Sequence, residues 1–234
     1  AAKLSDQWQG VAPKPGSQPV VTEVVDLTAK VDKQAKLMWD VPKGRWTLLR
    51  FGYVTMDGDP AHHGQLVTAQ DVDVLDPEAV ERHFERMGKA ILEDAGPLAG
   101  RTLTHFYSVS WEGAIPTWTR GFEQEYVKRR GYPVRTWLPV LAGFTVKTAG
   151  ESERFLQDYY KTLGDCFRDN FYGKLQALCG KAGLKWHAES GGPWNRKLAS
   201  FAEADQLAFL ARTDMPQGEF WWPRRSMNRP AAMT

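Results

Sequence analysis

The spacing of apolar residues changes near residue 76. Before it, Val20 to Thr28 alternates apolar and polar positions and is rich in β-branched side chains. Lys36 to Val41 repeats the pattern, and Arg45 to Val54 carries it again after a Pro42-Lys43-Gly44 turn. A period of two with short turns predicts three strands, a small antiparallel β segment at the end of a β-sandwich or appendage. Residues 1–18, rich in Pro, Gly, Ser and Lys, read as a connector or an extended edge.

Beyond residue 76 the period lengthens to that of a helix. Asp76-Pro77-Glu78 supplies an N-cap and a proline at the first helical position. Val80, Phe84, Met87, Ile91 and Leu92 form the apolar stripe, and Gly96-Pro97 ends it. Thr102 to Ser108 reads as a strand, Val109 to Thr119 as a loop, and Phe122 to Arg130 as a helix closed by Gly131. Residues 132–149 read as a loop. A long helix follows from about Glu153 to Lys181, interrupted near Gly164 or Gly173 and closed by Gly183. Leu184 to Ala188 is the next strand, about Ala199 to Ala211 a helix, and Thr213 to Trp222 a strand-and-loop unit.

This alternation predicts an α/β fold with a parallel sheet, a partial (β/α)8 or TIM-type barrel preceded by the antiparallel β segment. A full barrel takes about 250 residues and only about 160 follow Asp76, so the barrel is expected to be incomplete. A smaller open α/β sheet, complete as it stands, is the alternative. The expected division is 1–54 for the β-rich segment, 55–75 for a linking loop and 76–234 for the incomplete barrel.

A formal net charge of +2 provides no basic field for nucleic acid or a membrane surface. Arg224, Arg225 and Arg229 read as a solvated loop. No run of about 18 apolar residues is present to span a bilayer. The first residues, Ala-Ala-Lys-Leu-Ser-Asp-Gln-Trp, do not read as a signal peptide. Cys166 and Cys179 fall in one predicted helix, about 20 Å apart along its axis and beyond disulfide reach, so both are expected to be free and buried. Ten Trp residues are many for this length. Most fit a core, but an exposed indole also stacks on sugar rings and donates to a hydroxyl.

Catalytic groups of barrel enzymes sit at the C-terminal ends of strands. Glu112 follows the strand ending near Ser108, and Glu189 ends the strand Leu184–Ala188. Glu219 lies in Gly218-Glu219-Phe220-Trp221. Each has a nearby Trp that could desolvate it, as a general acid requires, and two carboxyl groups flanking a glycosidic bond suffice for its hydrolysis. A salt-bridged or loop-capping role is the alternative for each. Strand alternation points His187 the same way as Glu189, so His187 could orient that carboxylate, bind a sugar hydroxyl, or be a satisfied core histidine. His62-His63, with Asp57 and Asp59, reads as an exposed loop more readily than as a metal site.

Seven stretches, in order, resemble glycoside hydrolase family 106. They are Trp39 to Gly52, Val72-Asp73-Val74-Leu75-Asp76, Ser110-Trp111-Glu112 with Trp118-Thr119, Arg129 to Tyr132, Leu138-Pro139, Glu189-Ser190-Gly191-Gly192, and Glu219-Phe220-Trp221. The resemblance implies a bacterial α-L-rhamnosidase, periplasmic or secreted, with a (β/α)8 catalytic domain. It implies inversion at the anomeric carbon, action on polysaccharide-derived rhamnosides, and calcium near the substrate. By the same likeness Glu112 matches the general acid, and Glu189 a carboxylate that binds substrate or calcium. His187, Trp111, Trp118 and Glu219 are the further substrate-binding candidates. Two departures stand out. Val109 occupies a place where the family usually carries Asp, and the matching general base is expected in an Ala-Glu-Ala-Phe-Thr-like stretch beyond Thr234. A non-catalytic carbohydrate-binding or pseudoenzyme role is the alternative these departures leave open.

Overall fold

The computed structural model describes residues 19–53, 72–109, 116–189 and 206–218. Its contacts gather into two compact units, Ala1–Tyr53 with Tyr126–Tyr159 and Val54–Glu125 with Tyr160–Thr234. Each unit draws on two separate stretches of chain. Periodicity reports which face of an element is buried, and leaves open which distant stretch covers it.

In the first unit, β1 (Val20–Val21) pairs in parallel with β3 (Thr145–Val146), Val20 opposite Thr145. Lys147 N–H continues the pairing to the Val21 carbonyl at 2.9 Å. The antiparallel strands expected over 36–54 are not observed in the described residues. The feature there is an isolated antiparallel bridge, Val31 to Leu37. The predicted turn is present, and Trp46 Nε1 closes it by donating to Pro42 O at 3.0 Å. Met38, Val41, Leu48 and Tyr53 are exposed. Alternation suits these residues to a sheet surface, but a ladder also needs a facing backbone.

Between Arg130 and Ala149, where a loop was expected, the short helix α4 (Leu138–Leu141) precedes β3. Thr148-Ala149-Gly150-Glu151 starts helix α5 (Ala149–Phe167). The Thr148 hydroxyl accepts from Glu151 N at 3.2 Å and donates to the Glu151 carboxylate at 2.7 Å. Buried Ser152 bonds both backbone groups of Val146. A hydroxyl chain crosses this unit: Tyr126 donates to Tyr132 at 2.6 Å, and Tyr132 donates to Asp158 at 2.8 Å. Trp137 stacks on Phe155 at 6.0 Å.

The second unit opens with α1 (Pro77–His83). The Asp76 side chain caps it, accepting from Glu78 N at 2.9 Å. A π-helical turn, Phe84–Gly88, separates α1 from α2 (Lys89–Ala95). The extra residue rotates the downstream face, so Val80 and Phe84 are buried while Met87 and Ile91 of the expected stripe are exposed. A second π turn, Arg168–Gly173, separates α5 from α6 (Lys174–Lys181) at one of the two predicted interruptions. Helix α3 matches its predicted limits, Phe122–Arg130, and Gly131 follows it at φ +81°. The division between units falls within α3 and within α5.

Strands β2 (His105–Ser108), β4 (Lys185–Glu189) and β5 (Met215–Gln217) form a parallel sheet in that order. Phe106 and Trp186 share a register position, and one face of the sheet holds them with Ala188. Phe84 meets Phe106 at 6.0 Å, and α6 packs on β4 and on α1. Phe167, Tyr172 and Phe209, the last from α7 (Gln206–Leu210), form an aromatic cluster with centroids 5.3–5.4 Å apart. Cys166 and Cys179 are free and buried. Burial first, then the Asp214 charge, pushes the Cys179 thiol up to about 11.

Burial raises the Tyr132 phenol to about 12. The Tyr126 hydroxyl opposes that rise and the Asp158 carboxylate adds to it. Its unfolded value is 10.0, so its stabilising contribution is whole below about pH 10 and is lost as pH rises toward about 12. Thermal unfolding should therefore show a fall in Tm across that window, and the fall should be smaller in Tyr132→Phe.

Candidate active site

The parallel register sets three strand ends side by side. Tyr107 lies opposite His187, and Glu189 opposite Gln217. Partners in a parallel pair project to the same side, and positions two apart do as well. Tyr107, His187, Glu189 and Gln217 therefore share one face of the sheet at its C-terminal end, opposite the face that holds Phe106, Trp186 and Ala188.

Glu189 is a carboxylate with 6% of its surface exposed. Tyr107 OH donates to Glu189 Oε1, and Gln217 Nε2 donates to the same oxygen at 2.7 Å. Gln217 Nε2 also reaches the Tyr107 hydroxyl at 3.2 Å. Behind this triangle, Tyr172 OH donates to the Glu189 carbonyl at 3.1 Å. Desolvation, followed by the Glu189 charge, raises the Tyr172 phenol well above its ordinary value, so it remains a protonated donor.

His187 packs against Tyr107 at 4.6 Å and His105 at 5.4 Å, and its buried Nδ1 has no partner among the described residues. Tyr107 and Gln217 both donate to Glu189 Oε1, and neither is among the candidates the sequence suggested. Alternation could have found Tyr107, two positions after His105. Gln217 became visible only once β5 was paired with β4.

Trp118 belongs to another cluster of the same unit, packed on Phe122 at 5.0 Å. Next to it, buried Thr119 donates to Asp73 Oδ2 at 2.6 Å, and Asp73 Oδ1 accepts from Leu75 N at 3.0 Å. Two of the stretches that carried the family resemblance thus meet. Asn170 Nδ2 adds a 2.8 Å bond to the Leu75 carbonyl. Val109, at the end of β2, is 61% exposed. Glu112, Trp111 and Glu219 lie outside the described residues, as do His62 and His63.

Asp214, close to this site in sequence, has a structural role. Its carboxylate accepts from Trp186 N at 2.8 Å and from Gln176 Nε2 at 3.0 Å, and its own N–H donates to Trp186 O at 2.8 Å. It aligns the start of β5 with β4. A calcium ion takes six to eight oxygens. Among the described residues no group of three or more His, Cys, Asp or Glu side chains forms a metal cage, and Oε1 of Glu189 already accepts two donors. These residues alone do not fit a calcium cage.

A family model described as alpha-L-rhamnosidase, glycoside hydrolase family 106, matches residues 3–233. The chain is 34% identical over 206 residues to a Formosa agariphila protein named as a candidate beta-glucuronidase, covering 85% of this chain and 16% of that one. A solved rhamnosidase from Novosphingobium sp. PP1Y is similar at a TM-score of 0.68 and 27% identity, over 86% of this chain and 19% of that one. The chain thus spans less than a fifth of either relative.

Replacing Asp214 by Ala removes the acceptor for a strand N–H and a side-chain amide. The expected cost is about 1–3 kcal/mol in chemical denaturation, the range for stranding such donors.

Proposed function

The chain belongs to the alpha-L-rhamnosidase family, glycoside hydrolase 106, and on that premise we propose that it forms part of the sugar site of an enzyme that hydrolyses terminal α-L-rhamnosides. The observation that carries this reading is Glu189, a buried, donor-held carboxylate at the C-terminal end of a parallel sheet, where barrel enzymes place their chemistry. Support for a (β/α)8 architecture comes from the strand order. β2, β4 and β5 lie side by side in parallel in the order in which they occur along the chain, β3 pairing with β1 instead, and one face at their C-terminal ends carries Tyr107, His187, Glu189 and Gln217.

The proposed chemistry is an inverting displacement. Glu112, as the acid, gives its proton to the glycosidic oxygen while the bond from that oxygen to the anomeric carbon breaks. Water attacks the opposite face of the sugar and loses a proton to a second carboxylate, about 6.5–9.5 Å from the first in enzymes of this kind. In the resemblance that base is a further carboxylate, distinct from Glu112, and Glu189 contacts the sugar. Polysaccharide-derived rhamnosides are the proposed substrates, in a periplasmic or secreted setting. Among the described residues no helix is long and apolar enough to cross a membrane. Calcium enters on family resemblance alone, and no step depends on it.

The two relatives carry names for different sugars. A glucuronide brings its own carboxylate, whereas rhamnose is uncharged. The family match over residues 3–233 favours rhamnose as the sugar of this reading. A second reading, carbohydrate binding without catalysis, draws on Val109 in the place of the family's Asp.

In the intact protein, Glu112→Gln should lower release of rhamnose from an aryl rhamnoside by about 10²–10⁴-fold, the usual contribution of general acid–base catalysis, while aryl glucuronide stays uncleaved. Unchanged rhamnose release would remove Glu112 from the acid role. Wild-type protein that binds rhamnosides without cleaving them would favour the second reading.

A further inference from the structure

We propose that Tyr107 and Gln217 are positioning residues that fix the Glu189 carboxylate in the orientation in which it meets the sugar. The inference rests on the reading of Glu189 as a sugar-site carboxylate and extends it to two residues on neighbouring strands. A buried carboxylate needs donors, and one hydrogen bond would leave it free to swing about its last torsion. Here Tyr107 from β2 and Gln217 from β5 converge on one oxygen, Oε1, of the residue that ends the strand between them. The two donors also bond each other at 3.2 Å, which closes a triangle across all three strand ends. Tyr172 pins the backbone of the same residue through its carbonyl at 3.1 Å.

Side chain and main chain of Glu189 are thus both held. The converging donors are a phenol and an amide, neither with a formal charge, so they orient the carboxylate without neutralising it. Any contact Glu189 makes with a sugar hydroxyl is directed by the fixed plane of that carboxylate. Misplacing a contact group by about 1 Å can cost on the order of 100-fold in rate.

The experiment uses the full-length protein with Tyr107→Phe, Gln217→Leu and Glu189→Ala. Each clamp variant should lower kcat/KM for an aryl rhamnoside on the order of tenfold. In thermal unfolding, the Tm loss caused by Tyr107→Phe or Gln217→Leu should shrink in the Glu189→Ala background, because the bond to Oε1 is then already gone and the 3.2 Å bond between Tyr107 and Gln217 is what remains to be lost. A structural role independent of Glu189 would leave that loss intact. The clamp is overturned if kcat/KM stays within twofold of wild type, or if the Tm losses are undiminished without Glu189. A wild-type protein that releases no rhamnose would overturn the proposed function instead, and the thermal cycle would then decide the clamp by itself.

Discussion

A buried carboxylate must be given donors, and at Glu189 that requirement organises the end of the sheet. Left unbonded, such a group would carry a desolvation penalty of several kcal/mol. Two donors come from the strands on either side, so the parallel pairing of β2, β4 and β5 is itself a condition for bonding the buried Glu189 side chain. The pairing depends in turn on the opposite face, where Trp186 and Ala188 are covered and α6 packs on β4. Asp214 then aligns the third strand through Trp186. Burial on one face thus supports a precise polar arrangement on the other.

The helices meet these demands by departing from regular geometry. The π turn at Phe84–Gly88 changes which side of the helix faces inward, and places Gly88 where a Cβ would approach the Phe84 ring to 3.0 Å. The second π turn, at Arg168–Gly173, carries Asn170, which holds the Leu75 carbonyl, and Tyr172, which holds that of Glu189. One irregular turn therefore reaches both the Asp73–Asp76 segment and the candidate site. π turns inside helices recur near functional sites for this reason, because the extra residue re-aims side chains.

The matched relatives are five to six times the length of the part aligned with this chain. The described residues supply the framework around one buried carboxylate, Glu189, for which a sugar contact is proposed. In the proposed reading Tyr107 and Gln217 hold that carboxylate as a fixed reference for substrate.

The sequence by itself determined what depends on neighbours along the chain. Asp76-Pro77 set the start of α1, Gly131 the end of α3, and alternation placed His187 and Glu189 on one face of β4. The order of seven short stretches pointed to the family, which the match over residues 3–233 shows. Only the tertiary structure decided which backbones pair. Val20 finds Thr145, whereas residues 36–53 have the alternation of strands and form no ladder in the described residues. The candidate site divides in the same way. Glu189 was legible because its strand was, but Tyr107 and Gln217, 82 residues before it and 28 after it, acquired their roles only through register. Local physics fixes the direction in which a side chain points, and long-range pairing fixes what it meets there.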